Sequence, residues 1–225
     1  TQRESGSFRP YPEQRAVYGL RVLGKGGLVT TVNDAGGLPL HIWDTATWQQ
    51  TEPWRSANEG RVDESIVDAE SSRDGRLLAT LVKGGIALWE MTTPPRLAQV
   101  GGVGARCLAF SPDGRWLAFG VSPVTIKLCE VPTLEVVRTL GAPMPVNGLA
   151  FSPDGRRLAS TGVGPQAAVT LWDMATQRRL IDLTSVAGIY CSPQFSPDGQ
   201  TLTAMCCGET YFWRVPALEN IDKGE

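Results

Sequence analysis

The residues with the most obvious chemical potential are four aspartates that recur in one motif. Asp74, Asp113, Asp154 and Asp198 are each third in a Ser-x-Asp-Gly run. Acid–base work by paired carboxylates needs the two groups within several ångströms of each other. Here the motifs stand apart, with their glycines (Gly75, Gly114, Gly155, Gly199) 39, 41 and 44 residues from one to the next. That spacing favours turn chemistry: proline presets φ, aspartate bonds its own backbone, and glycine takes the positive φ that closes a hairpin. The single histidine, His41, has no second His beside which to build a metal site. A triad around it would have to start from a strand position between Leu40 and Ile42, so a satisfied strand residue is expected. Gly19 to Gly26 nearly spells the phosphate-binding Gly-x4-Gly-Lys, but Gly26 stands where Ser or Thr should hold magnesium, and no helix follows. The five cysteines, 107, 129, 191, 206 and 207, are odd in number and contain no Cys-x-x-Cys. They read as buried, reduced thiols on strands; the alternative for the neighbours Cys206 and Cys207 is oxidation or a soft metal, for which the pair lacks further ligands. No catalytic residue, metal or cofactor is expected.

The elements that position these residues repeat with the turns. Each turn is followed, 14 to 17 residues later, by a β-rich segment ending at Trp89-Glu90, Cys129-Glu130, Trp172-Asp173 or Trp213-Arg214. A fifth copy lies upstream, because Val17–Asp44 overlays Val146–Asp173 at a constant offset of 129 residues and aligns Gly19 with Gly148 and Trp43 with Trp172. A period near 40 marks a repeat architecture. Alternation over Val146–Phe151, then Arg157–Thr161, Val169–Trp172 and Arg178–Leu183, gives four strands per unit; Leu97–Val100 and Glu135–Leu140 are fourth strands elsewhere. No stretch carries a convincing helical period. The fold class is therefore all-β. One small sheet cannot bury two faces alone, whereas radial stacking of copies hides both.

The pattern resembles the WD-repeat β-propeller family: Ser-Pro-Asp-Gly, then Leu158-Ala159-Ser160, then Val169-Thr170-Leu171-Trp172-Asp173. The resemblance covers about residues 17 to 216 and implies four-stranded antiparallel blades beginning near 17, 65, 104, 145 and 188. Residues 1–16 are then a linker or closing strand, and 217–225 a polar tail. The family's usual Gly-His reads Gly101-Gly102, Gly141-Ala142 and Ser185-Val186 here, and its Asp six residues before the Trp reads Gly37, Lys83, Pro123, Gln166 and Cys207. Without the full hydrogen-bonded network, packing of Trp43, Trp89, Trp172 and Trp213 between blades is expected to hold the fold. Cys129 replaces the Trp in the third blade, so a larger neighbour should fill the gap. The compact repeats are similar to bacterial members, which often trail a signalling domain such as a kinase.

Composition narrows the partners. The net charge of −2 is spread without a basic stripe, which argues against nucleic acid or an anionic membrane as ligand. The longest apolar run, about Leu77–Val82, is far shorter than a membrane span of ~20 residues. No signal peptide is read from Thr1 onward, and a cytoplasmic location is the expectation. Five units leave two arrangements, a ring closed by residues 1–16 or an arc of a larger ring, and the larger ring is favoured because terminal capping is missing.

Function then falls to the loops. The resemblance implies docking on the face made by the outer-to-inner and second-to-third-strand loops. There the long Thr51–Ser65 loop presents Trp54 and Arg55, residue types enriched at binding hot spots, although Trp54 is as readily tucked against the blade edge. By repeat position Tyr18, Arg106 and Asn147 point toward the central opening of the same face. The expected function is a non-catalytic scaffold that binds a partner protein or peptide, including other domains of a parent chain. The alternative is a propeller attached to or gating an enzyme, since Ser111–Phe119 also resembles repeats of periplasmic translocation propellers and of hydrolase caps.

Overall fold

The computed structural model describes residues 17–23, 27–32, 40–47, 49, 66–82, 85–92, 96–101, 104–164, 169–183 and 188–215. Among them there are strands and turns and no helix. The first sheet holds β1 (Val17–Leu23), β2 (Gly27–Val32) and β3 (Leu40–Asp44). The second is a four-stranded meander of β4 (Ile66–Ser71), β5 (Leu77–Val82), β6 (Gly85–Glu90) and β7 (Arg96–Gly101). The third repeats it with β8 (Ala105–Phe110), β9 (Trp116–Val121), β10 (Thr125–Glu130) and β11 (Glu135–Gly141). The fourth comprises β12 (Val146–Phe151), β13 (Arg157–Gly164), β14 (Val169–Asp173) and β15 (Arg179–Leu183). The last contains β16 (Gly188–Phe195), β17 (Thr201–Cys206) and β18 (Glu209–Arg214). It is stitched to the fourth where β13 extends to pair with β16, Val163 facing Ile189 and Gly164 facing Gly188. Every pair is antiparallel, as short connections between successive strands require.

The first strand of each sheet lies beside that of the next: β1 by β4, β4 by β8, β8 by β12, and β12 by β16. These inner strands make a continuous series of propeller blades. Burial grades outward from it. The run Leu-Leu-Ala-Thr-Leu-Val of β5 is buried at all but its first residue, so both faces of the strand are covered. In the outer strand β11, by contrast, only Leu140 is buried.

The core is made between blades. Ala79, Leu81, Ile86 and Leu88 of the second blade meet Leu108, Phe110, Leu117, Phe119 and Cys129 of the third. Ile126 and Leu128 of the third meet Val146, Leu149, Leu158 and Trp172 of the fourth. Ala159, Val169 and Leu171 of the fourth meet Leu202, Ala204 and Cys206 of the last, with Trp213 packed against them. Each large apolar side chain so covered contributes on the order of 1.5–3 kcal/mol. One residue breaks the series. Phe212 occupies the place of Leu88, Leu128 and Leu171, one before the tryptophan slot, yet it is 69% exposed while those leucines are buried.

Some of the hydrogen bonding that the resemblance implies is present without the Gly-His and Asp. Trp89 donates its indole N–H to Thr80 Oγ1 at 2.8 Å, and Trp172 donates to Ser160 Oγ at 2.9 Å. Packing therefore does not act alone: in the second and fourth blades the buried indole keeps a hydroxyl partner on the neighbouring strand. In the third blade both positions change together. Cys129 replaces the indole, and Phe119, in the place of Thr80 and Ser160, is 1% exposed in the same buried cluster. The bulk removed at one position reappears at its diagonal neighbour. Trp43 is buried, whereas Trp213 is only partly so.

The four Ser-x-Asp-Gly turns are one structure repeated. In the fourth blade Ser152 Oγ donates to Asp154 Oδ1 and accepts from the Arg157 amide, while the same carboxylate oxygen accepts from the Arg156 amide. Gly155 closes the turn with φ of 70° and donates its amide to the Ser152 carbonyl. A side chain at that φ would be strained, which is why the position needs glycine. Asp74, Asp113 and Asp198 accept the same two kinds of bond.

Candidate docking face

The strand registers fix which loops share an end of the blade. In the third blade Ala105, Val121, Thr125 and Gly141 are aligned across the sheet. The start of β8, the β9–β10 loop and the exit of β11 toward β12 therefore lie together. The Ser-x-Asp-Gly turns belong to the opposite end.

At the loop end each of the first four inner strands carries a β-bulge at its second residue. The register shifts between Val17 and Gly19, Ile66 and Asp68, Ala105 and Cys107, and Val146 and Gly148. The residues left over are Tyr18, Val67, Arg106 and Asn147. A bulged residue sits outside the alternation of the strand and its side chain is re-aimed. Arg106 and Asn147 are accordingly exposed at the mouths of strands that otherwise run into the core. The inner strands β8 and β12 that carry them are neighbours. Sequence reasoning places these residues by repeat position; the bulge, which has no residue-type signature, supplies the physical cause. Tyr18 lies at the equivalent backbone position of β1, with its side chain outside those described, and Trp54 and Arg55 lie outside the described residues altogether.

The bulge is preserved alongside close packing. A Cβ on Gly148 would lie 2.7 Å from both Pro193 Cδ and Thr161 Oγ1, so the residue after Asn147 must be glycine for β12 to approach β16. In β16 the irregularity moves to Ser192 and Pro193, and Cys191 takes the position homologous to Asn147. Arg106 offers the planar, permanently charged fork suited to a carboxylate or phosphate, and Asn147 offers both a donor and an acceptor. Neither side chain is a nucleophile.

The other candidates fall elsewhere. His41 is on β3, paired with Thr30 and stacked on Trp43 with ring centroids 6.2 Å apart. The phosphate-loop lookalike begins on β1, and the next described element is strand β2 rather than a helix. The turn aspartates are held below the ordinary carboxylate range. For Asp74 and Asp198 the hydroxyls of Ser72 and Ser196 act most strongly, followed by the backbone amides. For Asp113 and Asp154 burial pushes upward but is outweighed by the same hydroxyl and amide bonds. Such carboxylates stay charged and committed to their turns. Asp44 and Asp173, at the ends of β3 and β14, likewise accept from the amides and hydroxyl of the turns that follow.

The cysteines depart from the expectation that all are buried strand residues. Cys107, Cys129 and Cys206 are buried, Cys191 is half-buried, and Cys207 is exposed in the turn between β17 and β18. Burial pushes the Cys107 thiol up to about 12 and the Cys129 thiol up to about 11, which leaves both as inert packing. Among the described residues no three His, Cys, Asp or Glu side chains converge as metal ligands would.

A family model described as WD domain, G-beta repeat, matches residues 99–122 and 134–173. The chain is 33% identical over 147 residues to telomerase protein component 1 of Mus musculus, an alignment covering 63% of this chain and 6% of that protein. It is 32% identical over 103 residues to an uncharacterized WD repeat-containing protein of Synechocystis, covering 45% of this chain and 29% of that one. With eukaryotic translation initiation factor 3 subunit I of Scheffersomyces stipitis it shares 33% over 99 residues, 43% of this chain and 28% of the factor. The chain thus spans under a third of the length of each of these relatives.

Proposed function

We propose that the chain is a WD-repeat propeller that serves as a non-catalytic interaction scaffold and docks a partner protein or peptide on its loop face. WD repeats generally serve protein–protein interaction or scaffolding, and relatives include a translation initiation factor subunit and a telomerase component. The observation that carries the reading is the bulge repeated at the mouths of the inner strands, which exposes Arg106 and Asn147 at equivalent positions of adjacent blades. A rigid sheet behind each side chain lowers the ordering cost of binding, and Arg is a residue type enriched among hot spots. Tyr18, Trp54 and Arg55 extend the proposed surface.

The test is a selection of displayed random peptides against the full chain, followed by affinity measurement on variants. Arg106→Glu with Asn147→Ala is expected to weaken the selected peptides at least tenfold. Lys127→Ala, on β10 and away from the bulges, should leave affinity unchanged. Peptides that bind the double variant as tightly as the parent would refute the assignment.

A further inference from the structure

The two-residue connection between β17 and β18 is built from Cys207 and Gly208, with φ of 54° and 84°. Positive φ at both positions is the signature of a type I′ hairpin turn, common for Asn-Gly and unusual for cysteine. The turn is tight, since Cys206 and Glu209 form the last pair of the ladder. It leaves the two side chains in different environments but in contact. Cys206 is 1% exposed within the cluster between the last two blades, Cys207 is exposed to solvent, and their sulfurs are 3.5 Å apart. Cys191 on β16 directs its sulfur to the Met205 carbonyl oxygen at 3.7 Å instead.

We propose that Cys206 and Cys207 form a modifiable dithiol, which closes to a vicinal disulfide by exchange with a low-molecular-weight disulfide such as oxidised glutathione. Exposure assigns the order of events. The Cys207 thiolate attacks one sulfur of oxidised glutathione, forming a mixed disulfide and releasing one glutathione thiolate. Cys206 then gives up its proton to solvent and attacks the Cys207 sulfur from behind. The new Sγ–Sγ bond forms as the Cys207–glutathione bond breaks, and a second glutathione thiolate leaves. The protein dithiol is oxidised by two electrons and one glutathione disulfide is reduced to two thiols. The sulfurs need to close from 3.5 Å to about 2.0 Å. Since adjacent Cα atoms stand only ~3.8 Å apart, the hairpin backbone must adjust along with the exposed side chain, which makes the bond a strained and readily reducible one. The buried partner, which no glutathione can reach directly, is the resolving thiol.

The full chain is incubated with oxidised glutathione and its free thiols are titrated after unfolding. The titre is expected to fall from five to three, with no glutathione retained on the chain and a peptide in which Cys206 and Cys207 are joined. Cys206→Ser should instead trap one stable glutathione on Cys207, and Cys207→Ser should take up none on this hairpin. A persistent adduct on the parent chain, or a disulfide that includes Cys191, overturns the assignment. Phenylarsine oxide gives a reading that needs no variant, because its trivalent arsenic takes two neighbouring thiols at once with loss of water. One arsenical per chain should protect Cys206 and Cys207 from alkylation, and five thiols left reactive would sink the dithiol.

Discussion

At the scale of single residues, the tryptophan slots show what the degenerate repeats have kept. Trp172 is 3% exposed, and its indole N–H has one direct partner, the Ser160 hydroxyl. Removing that acceptor leaves a buried donor unsatisfied, which costs about 1–3 kcal/mol, more than the net worth of an ordinary hydrogen bond. Ser160→Ala is therefore expected to lower the unfolding free energy by that amount, read as a lower urea midpoint at unchanged m-value, while Ser160→Thr, which keeps the hydroxyl, largely preserves it. The indoles themselves are plain in the sequence. Their partners are not, because Thr80 and Ser160 look like any strand hydroxyl until the register sets them diagonal to the tryptophan two strand positions on. The exchange at Phe119 and Cys129 was half visible: the missing indole announces a gap, but only the pairing of β9 with β10 identifies the side chain beside it.

At the scale of elements, the four turns behave as one titrating set. Each aspartate is held below the ordinary carboxylate value near 3.9 by a serine hydroxyl and a backbone amide. A carboxylate whose folded value is depressed binds its proton more readily in the unfolded chain. Its contribution is full above about pH 5 and is lost as pH falls through the unfolded value and then the lower folded values. Stability measured by urea unfolding should therefore be flat in this respect from pH 7 to about pH 5 and drop below pH 4. Asp154→Asn combined with Asp113→Asn should flatten that acid limb, and a limb of unchanged steepness would assign the acid sensitivity to other groups. The hairpins were legible because Ser-Pro-Asp-Gly names its own geometry residue by residue. The bulges were not, since Tyr18, Arg106 and Asn147 have no property in common except their place beside a register shift. The turn at Cys207 is hidden for a related reason: a cysteine in an apolar, β-rich run reads as strand, and only its φ of 54° marks the turn.

At the scale of the whole molecule, the period near 40, the all-β class and the four-stranded antiparallel sheets are legible in the sequence, because a repeat states its fold several times over. What a repeat cannot state is how each copy is covered. Leu171 and Phe212 hold the same place in successive blades, yet one is fully buried and the other is 69% exposed. Leu171→Ala should destabilise the chain by about 2–5 kcal/mol through lost contacts and a residual cavity. Phe212→Ala should change it by about 0.5 kcal/mol or less. Equal effects in denaturant unfolding would mean that Phe212 is covered in solution. The seam between the last two blades carries a different consequence. Among the described residues the other blades meet through side chains, but Val163 and Gly164 of β13 share a ladder with Ile189 and Gly188 of β16. The fourth and fifth blades are clasped by main chain as well as by side chains, so separating them costs ladder hydrogen bonds in addition to buried apolar contacts. Amide hydrogen exchange is expected to show the amides of this short ladder protected together with both flanking sheets, and exchange of the β16–β18 amides independent of β13 would show that the clasp does not couple them.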